Sequence, residues 1–201
     1  MPCSRTAKMN TATVPTLVVG MLAASVLVAC GSGSAKEQVL GPTVEPSAWT
    51  TYEDQEGRFS IRYPVAWEIS EQSLTPGLTD PREIVSVGSY HMRSGGELCA
   101  HLPVNALEEL GPEDAFLTLQ ERAQPHLADY PPRPNQFDLG KPTEGFDGEL
   151  CVQEPGDLLQ WWLPFRDGSR AFYALVALGT SASAETRQQV TQTLNSFRID
   201  G

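Results

Sequence analysis

Two apolar runs that flank an Asp167-Gly168 pair constrain this chain more than any other feature. A two-residue hairpin needs positive φ at its centre, and Asp-Gly supplies it. Leu158 to Arg166 and Ala171 to Leu178 are therefore predicted to pair as one long hairpin. Neither Leu158-Leu159-Gln160-Trp161-Trp162-Leu163 nor Ala171-Phe172-Tyr173-Ala174-Leu175-Val176 alternates cleanly. Strands apolar on both sides belong to a sheet covered on both faces. Trp161 and Trp162 are accordingly expected to be mostly inaccessible, each packed under a helix. If the second face were bare, the pair would instead form an aromatic platform for sugars or peptide. One cover is visible in the sequence: Ser183 suits an N-cap, with Val190, Leu194 and Phe197 at i, i+4 and i+7. Phe197-Arg198-Ile199 then reads as a short edge strand.

Other elements follow from pattern and punctuation. Ala48 to Tyr52 reads as a short strand, Asp54-Gln55-Glu56-Gly57 as a turn, and Phe59 to Tyr63 as a half-buried strand that alternates apolar and polar. Pro64 turns the corner into Trp67-Glu68-Ile69, and Ile84 to Ser89 reads as a fourth strand. Asn105 with Glu108 suggests a capping box opening a two-turn helix that Gly111-Pro112 stops. Ala115 to Arg122 reads as a strand, against a second helix opened at Pro112. Tyr130-Pro131-Pro132-Arg133-Pro134 reads as an extended surface loop rather than a polyproline ligand. Gln136 to Leu139 is expected to be a strand, and 140–156 an acidic, Gly-rich connector.

The N-terminus fixes a compartment. Arg5 and Lys8 precede an apolar stretch, Val14 to Ala29, and Leu27-Val28-Ala29-Cys30 closes it before Gly31-Ser32-Gly33-Ser34. A basic region, an apolar region and a small residue before a cysteine make a secretory signal with a lipoprotein cleavage box. The pattern resembles bacterial lipoproteins, and the resemblance implies that Cys30 takes a diacylglycerol thioether and becomes the mature N-terminus. Two acyl chains are what stable anchoring requires. At about 16 residues, with Pro15 and Gly20 inside it, the run is short for a bilayer span. Cleavage after Ala35 without lipid is the other exported reading. The implied organisation is a signal peptide at 1–29, a lipid-anchored flexible tether at 30–47 and a single domain at 48–201, held at the extracytoplasmic face of the cell membrane.

Charge and cysteines narrow the partners. The chain carries 14 basic and 25 acidic residues, a net charge of −11. Removing 1–29 takes away two basic residues and no acidic one, so the exported part is more acidic still. Such a charge repels nucleic acid and anionic lipid. With Cys3 in the leader and Cys30 at the lipid site, Cys99 and Cys151 remain, each in the tetrapeptide Gly-Glu-Leu-Cys. In an oxidising compartment they read as a disulfide, worth about 4 kcal/mol by loop closure. A metal site of Cys99, His101 and Cys151 is the alternative, less favoured because no Cys-x-x-Cys or His-x-x-x-His spacing accompanies it.

Arg58-Phe59-Ser60-Ile61-Arg62-Tyr63-Pro64-Val65-Ala66-Trp67 resembles the opening of PsbP-like domains, where Phe-Ser-x-x-Tyr-Pro-x-x-Trp forms the first hairpin. The closing Leu194-Asn195-Ser196-Phe197-Arg198-Ile199 is similar to the terminal helix and strand of that group. The resemblance covers the two ends of the domain. It implies an α+β fold, a mainly antiparallel sheet covered by helices on both faces (an α/β/α sandwich), with Tyr63 and Trp67 as core anchors. No catalytic or metal residue of that family falls on a matching position.

Chemistry is sparse. No nucleophile elbow, His-Glu-x-x-His, phosphate loop or dinucleotide fingerprint occurs. The three histidines are His91, His101 and His126; a triad would have to join His91 to Ser89 or Ser94. Glu144, Asp147, Glu149, Glu154 and Asp157 lack the ligand spacing of a calcium loop and read as a solvated charge run. The expectation is a non-enzymatic binding or accessory module, with no cofactor and no catalytic residue, recognising a protein or small ligand. The alternative is a cell-envelope hydrolase whose site is assembled only in the fold.

Overall fold

A computed structural model describes residues 48–70, 72–95, 98–99, 101–143 and 158–200, with the backbone alone at 98–99. Val44–Gly201 forms one compact unit. Its strands in chain order are β1 (Trp49–Asp54), β2 (Phe59–Pro64), β3 (Glu68–Ile69), β4 (Arg82–Gly88), β5 (Leu98–Cys99), β6 (Leu102–Pro103), β7 (Ala115–Glu121), β8 (Leu158–Asp167), β9 (Arg170–Gly179) and β10 (Arg198–Ile199). Helix α1 spans Val104–Glu108, a 3-10 turn spans Leu127–Asp129, and helix α2 spans Ala184–Ser196.

The predicted hairpin is the centre of the molecule. β8 and β9 pair antiparallel from Leu158↔Gly179 to Asp167↔Arg170, with Gly168 at φ 60° in the turn. Their sheet has the order β3-β4-β7-β9-β8, all antiparallel, and β7 lies at its centre, buried from Ala115 to Gln120. One face carries Val85, Val87, Leu117, Leu119, Trp161, Phe165, Phe172, Ala174 and Val176 against Val190, Leu194 and Phe197. α2 packs there on β2, β7 and β9. A second sheet, β1-β2-β10, contributes Phe59 and Ile61 to the same core. Trp67 is buried, and Tyr63 packs at the core's margin.

The expected sandwich with helices on both faces does not form. The described residues are mostly antiparallel sheet, about 40% strand and 16% helical, with two α-helices among them. Phe116, Leu175 and Ala177 on the second face meet Leu74, Met92, Leu102, Ala106, Leu107 and Leu110, which come from α1, the short strand β6 and irregular segments. α1 is held to five residues between Pro103 and Gly111-Pro112, so among the described residues no longer helix covers this face. The capping box also fails to form. The N-cap is Pro103, without a side-chain bond, because β6 runs straight into the helix and Asn105 already lies in its first turn. At α2 the cap is as expected: Ser183 Oγ accepts from the Thr186 N–H at 3.0 Å.

Segments read as loops turn out to cover edges. Beside β8, the Arg133 N–H donates to the Arg166 carbonyl and the Arg166 N–H to the Pro131 carbonyl, both at 2.8 Å. The Pro-rich segment therefore covers the outer edge of β8, where an open strand would invite pairing with other chains. Residues 136–139, expected to be a strand, are irregular. Phe137 is pinned instead by Asn195, whose Oδ1 accepts its N–H at 2.7 Å and whose Nδ2 donates to its carbonyl at 3.2 Å.

Candidate functional site

Alternation in β1, β2 and β10 sends Phe59 and Ile61 inward and leaves Ser60 and Arg62 outward. The register sets Thr51 opposite Arg62, and Arg198 opposite Ser60. On α2, Val190 and Leu194 are buried, while Gln188, Thr191, Gln192 and Asn195 lie at i, i+3, i+4 and i+7 on another side. β10 pairs with β2 only at residues 59 and 60, leaving the strand's edge free at Arg62. Ser196 fills that gap, its hydroxyl accepting the Arg62 N–H at 2.8 Å and donating to the Arg62 carbonyl at 3.1 Å. The helix end is thereby fixed beside the outward row of the small sheet.

Between the two lies a groove of about 870 Å³, with Gln136 closing one side and Trp49 on the floor strand. Its lining includes Arg62, Arg187 and Arg198 and, among the described residues, no carboxylate. Ion pairs among the described residues occupy Arg82, Arg93, Arg122, Arg133 and Arg170, and none of the groove arginines. Arg187 Nε donates to the Ala182 carbonyl at 3.3 Å, and Arg198 Nη1 to the Phe197 carbonyl at 2.7 Å. Both guanidiniums are thus held by backbone and, among the described residues, pair with no carboxylate, and Arg62 is exposed. In a chain of net charge −11 this is a local reversal of sign.

A second depression, about 530 Å³, holds His91 and Glu68. His91 Nδ1 lies 3.0 Å from Glu68 Oε2, although the histidine side chain is 78% exposed. Ser70 and Ser94 line the same depression. Their hydroxyls donate to the Gln72 carbonyl at 2.5 Å and to Gln72 Oε1 at 3.2 Å, not to the imidazole. Ser89 is elsewhere, donating to Asp114 Oδ1 at 2.8 Å and accepting the Ala115 N–H at 2.9 Å.

Trp161 is buried, at 3% exposure. Trp162, expected to be inaccessible as well, is half-buried on the second face. It stacks on Tyr173 at 4.6 Å between centroids and on His101 at 6.4 Å. The reason is the missing helical layer: aromatic neighbours cover the ring where a helix was expected. Filled in this way, the tryptophan pair is no bare platform.

His101 sits in the turn between β5 and β6, not on a strand with Cys99. His126 pairs with Asp129 at 3.1 Å on the surface. Cys30, expected to carry the lipid, Cys151, expected to pair with Cys99, the Cys99 side chain and the acidic run from Glu144 to Asp157 lie outside the described residues. Among the described residues no group of three His, Cys, Asp or Glu side chains could hold a metal ion, and no helix is long and apolar enough to cross a membrane.

Sequence reasoning passed over the groove, although a signal exists. Residues 186–199 contain Arg187 and Arg198 but no Asp or Glu, in a chain with 25 acidic residues. Comparison with protein-family models, with curated proteins and with solved structures finds no match for the chain.

Proposed function

We propose that the protein is a lipid-anchored binding module on the extracytoplasmic face of the cell membrane, tethered through Cys30, and that it takes its ligand in the groove between α2 and the β1-β2-β10 sheet. The observation that carries this reading is the groove itself: a wide concavity whose guanidiniums, amides and hydroxyls converge in an otherwise acidic chain. Binding sites are concave, with a few polar groups placed to orient the ligand. Among the described residues no Val, Leu, Ile, Met or Ala lines this one, which favours a hydrophilic ligand over an acyl chain.

Native mass spectrometry of the full lipidated chain, released from its own membrane in mild detergent, tests the reading. A non-protein adduct should accompany the wild type and be lost from Thr191→Trp, which fills the groove. An adduct unaffected by that change, or none in either form, would contradict it.

The alternative, an envelope hydrolase, draws on the Glu68–His91 pair with Ser70 and Ser94 beside it. A carboxylate that orients an imidazole is half of a general-base arrangement. Turnover of any ester, amide or glycoside substrate that disappears in His91→Ala would favour it over the binding reading.

A further inference from the structure

We infer that the groove ligand is an anionic carbohydrate, a saccharide whose rings carry carboxylate or phosphate groups; this rests on the groove being the binding site. Three features of the lining point the same way. Arg62, Arg187 and Arg198 supply planar donor forks with no carboxylate partner among the described residues, the geometry that pairs with carboxylate and phosphate in a bidentate manner. Around them Gln136, Gln188, Gln192, Thr51 and Thr191 present amides and hydroxyls, which both donate and accept and so match sugar hydroxyls. Trp49 adds a half-buried indole, and among the described residues its ring stacks on no other ring.

Competing ligands fit less well. A neutral glycan leaves three guanidiniums unused. Nucleic acid carries the right charge, but a chain of net charge −11 repels a long polyanion. A short anionic saccharide takes the local positive field of the three arginines and carries far less charge than a long polyanion. Anionic phospholipid shares the charge but brings acyl chains, and among the described residues no Val, Leu, Ile, Met or Ala lines the groove to receive them.

The test uses the full chain in detergent and four probes: oligogalacturonate, its fully methyl-esterified neutral form, a phosphorylated mannan, and vesicles of phosphatidylglycerol in phosphatidylcholine. Binding is measured by calorimetry at low and high salt. At least one anionic glycan should bind, weakening as salt rises, with the neutral form weaker by about tenfold or more. Arg62→Gln and Arg187→Gln should each lose about tenfold. Trp49→Ala should weaken both glycan forms alike. Equal binding of the neutral form that Thr191→Trp still abolishes would overturn the charge inference and leave the groove reading standing. Glycan binding that Thr191→Trp leaves intact would overturn both. No binding of either anionic glycan at millimolar concentration, or arginine-dependent binding of the vesicles alone, would overturn the anionic carbohydrate.

Discussion

Arg170 and Glu121 meet in a two-point ion pair, Nε to Oε1 at 2.5 Å and Nη2 to Oε2 at 2.8 Å, while Arg170 Nη1 donates to the Gly57 carbonyl at 2.8 Å. One guanidinium thus joins β9 and β7 of the large sheet to the β1–β2 turn of the small one, whose outward face floors the groove. Both side chains are mostly buried, at 22% and 16% exposure. Arg170→Lys keeps the charge but cannot reach three acceptors in one plane. Chemical denaturation should show Arg170→Ala losing about 2–3 kcal/mol and Arg170→Lys recovering only part of it. A lysine variant as stable as the wild type would mean that charge alone matters there.

Gly179 ends β9 where a Cβ would lie 2.2 Å from the Pro112 carbonyl oxygen, which is backbone and cannot swing away. The close approach also brings the Gly179 N–H to the Asp114 carbonyl at 3.0 Å. Gly179→Ala should lower stability by about 2–3 kcal/mol through overpacking. Its effect is readable as a lower urea midpoint with an unchanged slope.

Tyr130 and Tyr173 face each other with their hydroxyl oxygens 2.5 Å apart. Burial, then the hydrogen bond to Tyr173, pushes the Tyr130 phenol up to about 12 from its ordinary 10.0, against the opposing charge of Arg122. A raised acid favours the neutral form in the fold. Its contribution is therefore complete below pH 10.0, the unfolded value, and is lost as pH rises through about 12. Tyr90, also raised mainly by burial, acts in the same direction. Urea midpoints measured across that window should fall less steeply in Tyr130→Phe than in the wild type.

Two proposals concern cysteines. Cys30→Ala should abolish lipid labelling and release the chain from membranes or leave an uncleaved precursor. If Cys99 and Cys151 are joined, alkylation of the native exported protein should find neither thiol, and Cys99→Ser should cost about 4 kcal/mol. Two alkylated thiols in the native protein would remove the bridge.

Legibility in the sequence followed the physics of each segment. The β8–β9 hairpin was readable because Gly168 permits a tight turn and both arms demand burial. The loop is nevertheless Gly168-Ser169, one residue later than expected, with Asp167 still paired to Arg170. α2 was readable from Ser183 and the spacing of Val190 and Leu194. α1 misled because Asn105 and Glu108 have capping-box spacing, while the preceding strand and Pro103 decide where the helix starts. Phe137 misled in the same way: local alternation suggested a strand, and Asn195 from α2, distant in sequence, decided otherwise. The groove was the least visible. Its arginines come from β2, α2 and β10, and only the register and the Ser196 contact to Arg62 bring them together.

Amide hydrogen exchange on the full chain, with and without oligogalacturonate or phosphorylated mannan, tests the central claim most directly. Protection should rise in β1 and β2 around Thr51 and Arg62 and along residues 187–196 of α2, and should vanish in an Arg62→Gln, Arg187→Gln double variant. Protection confined to Glu68–Gln72 and His91–Ser94, or none at ligand saturation, would contradict a binding module built on the arginine groove.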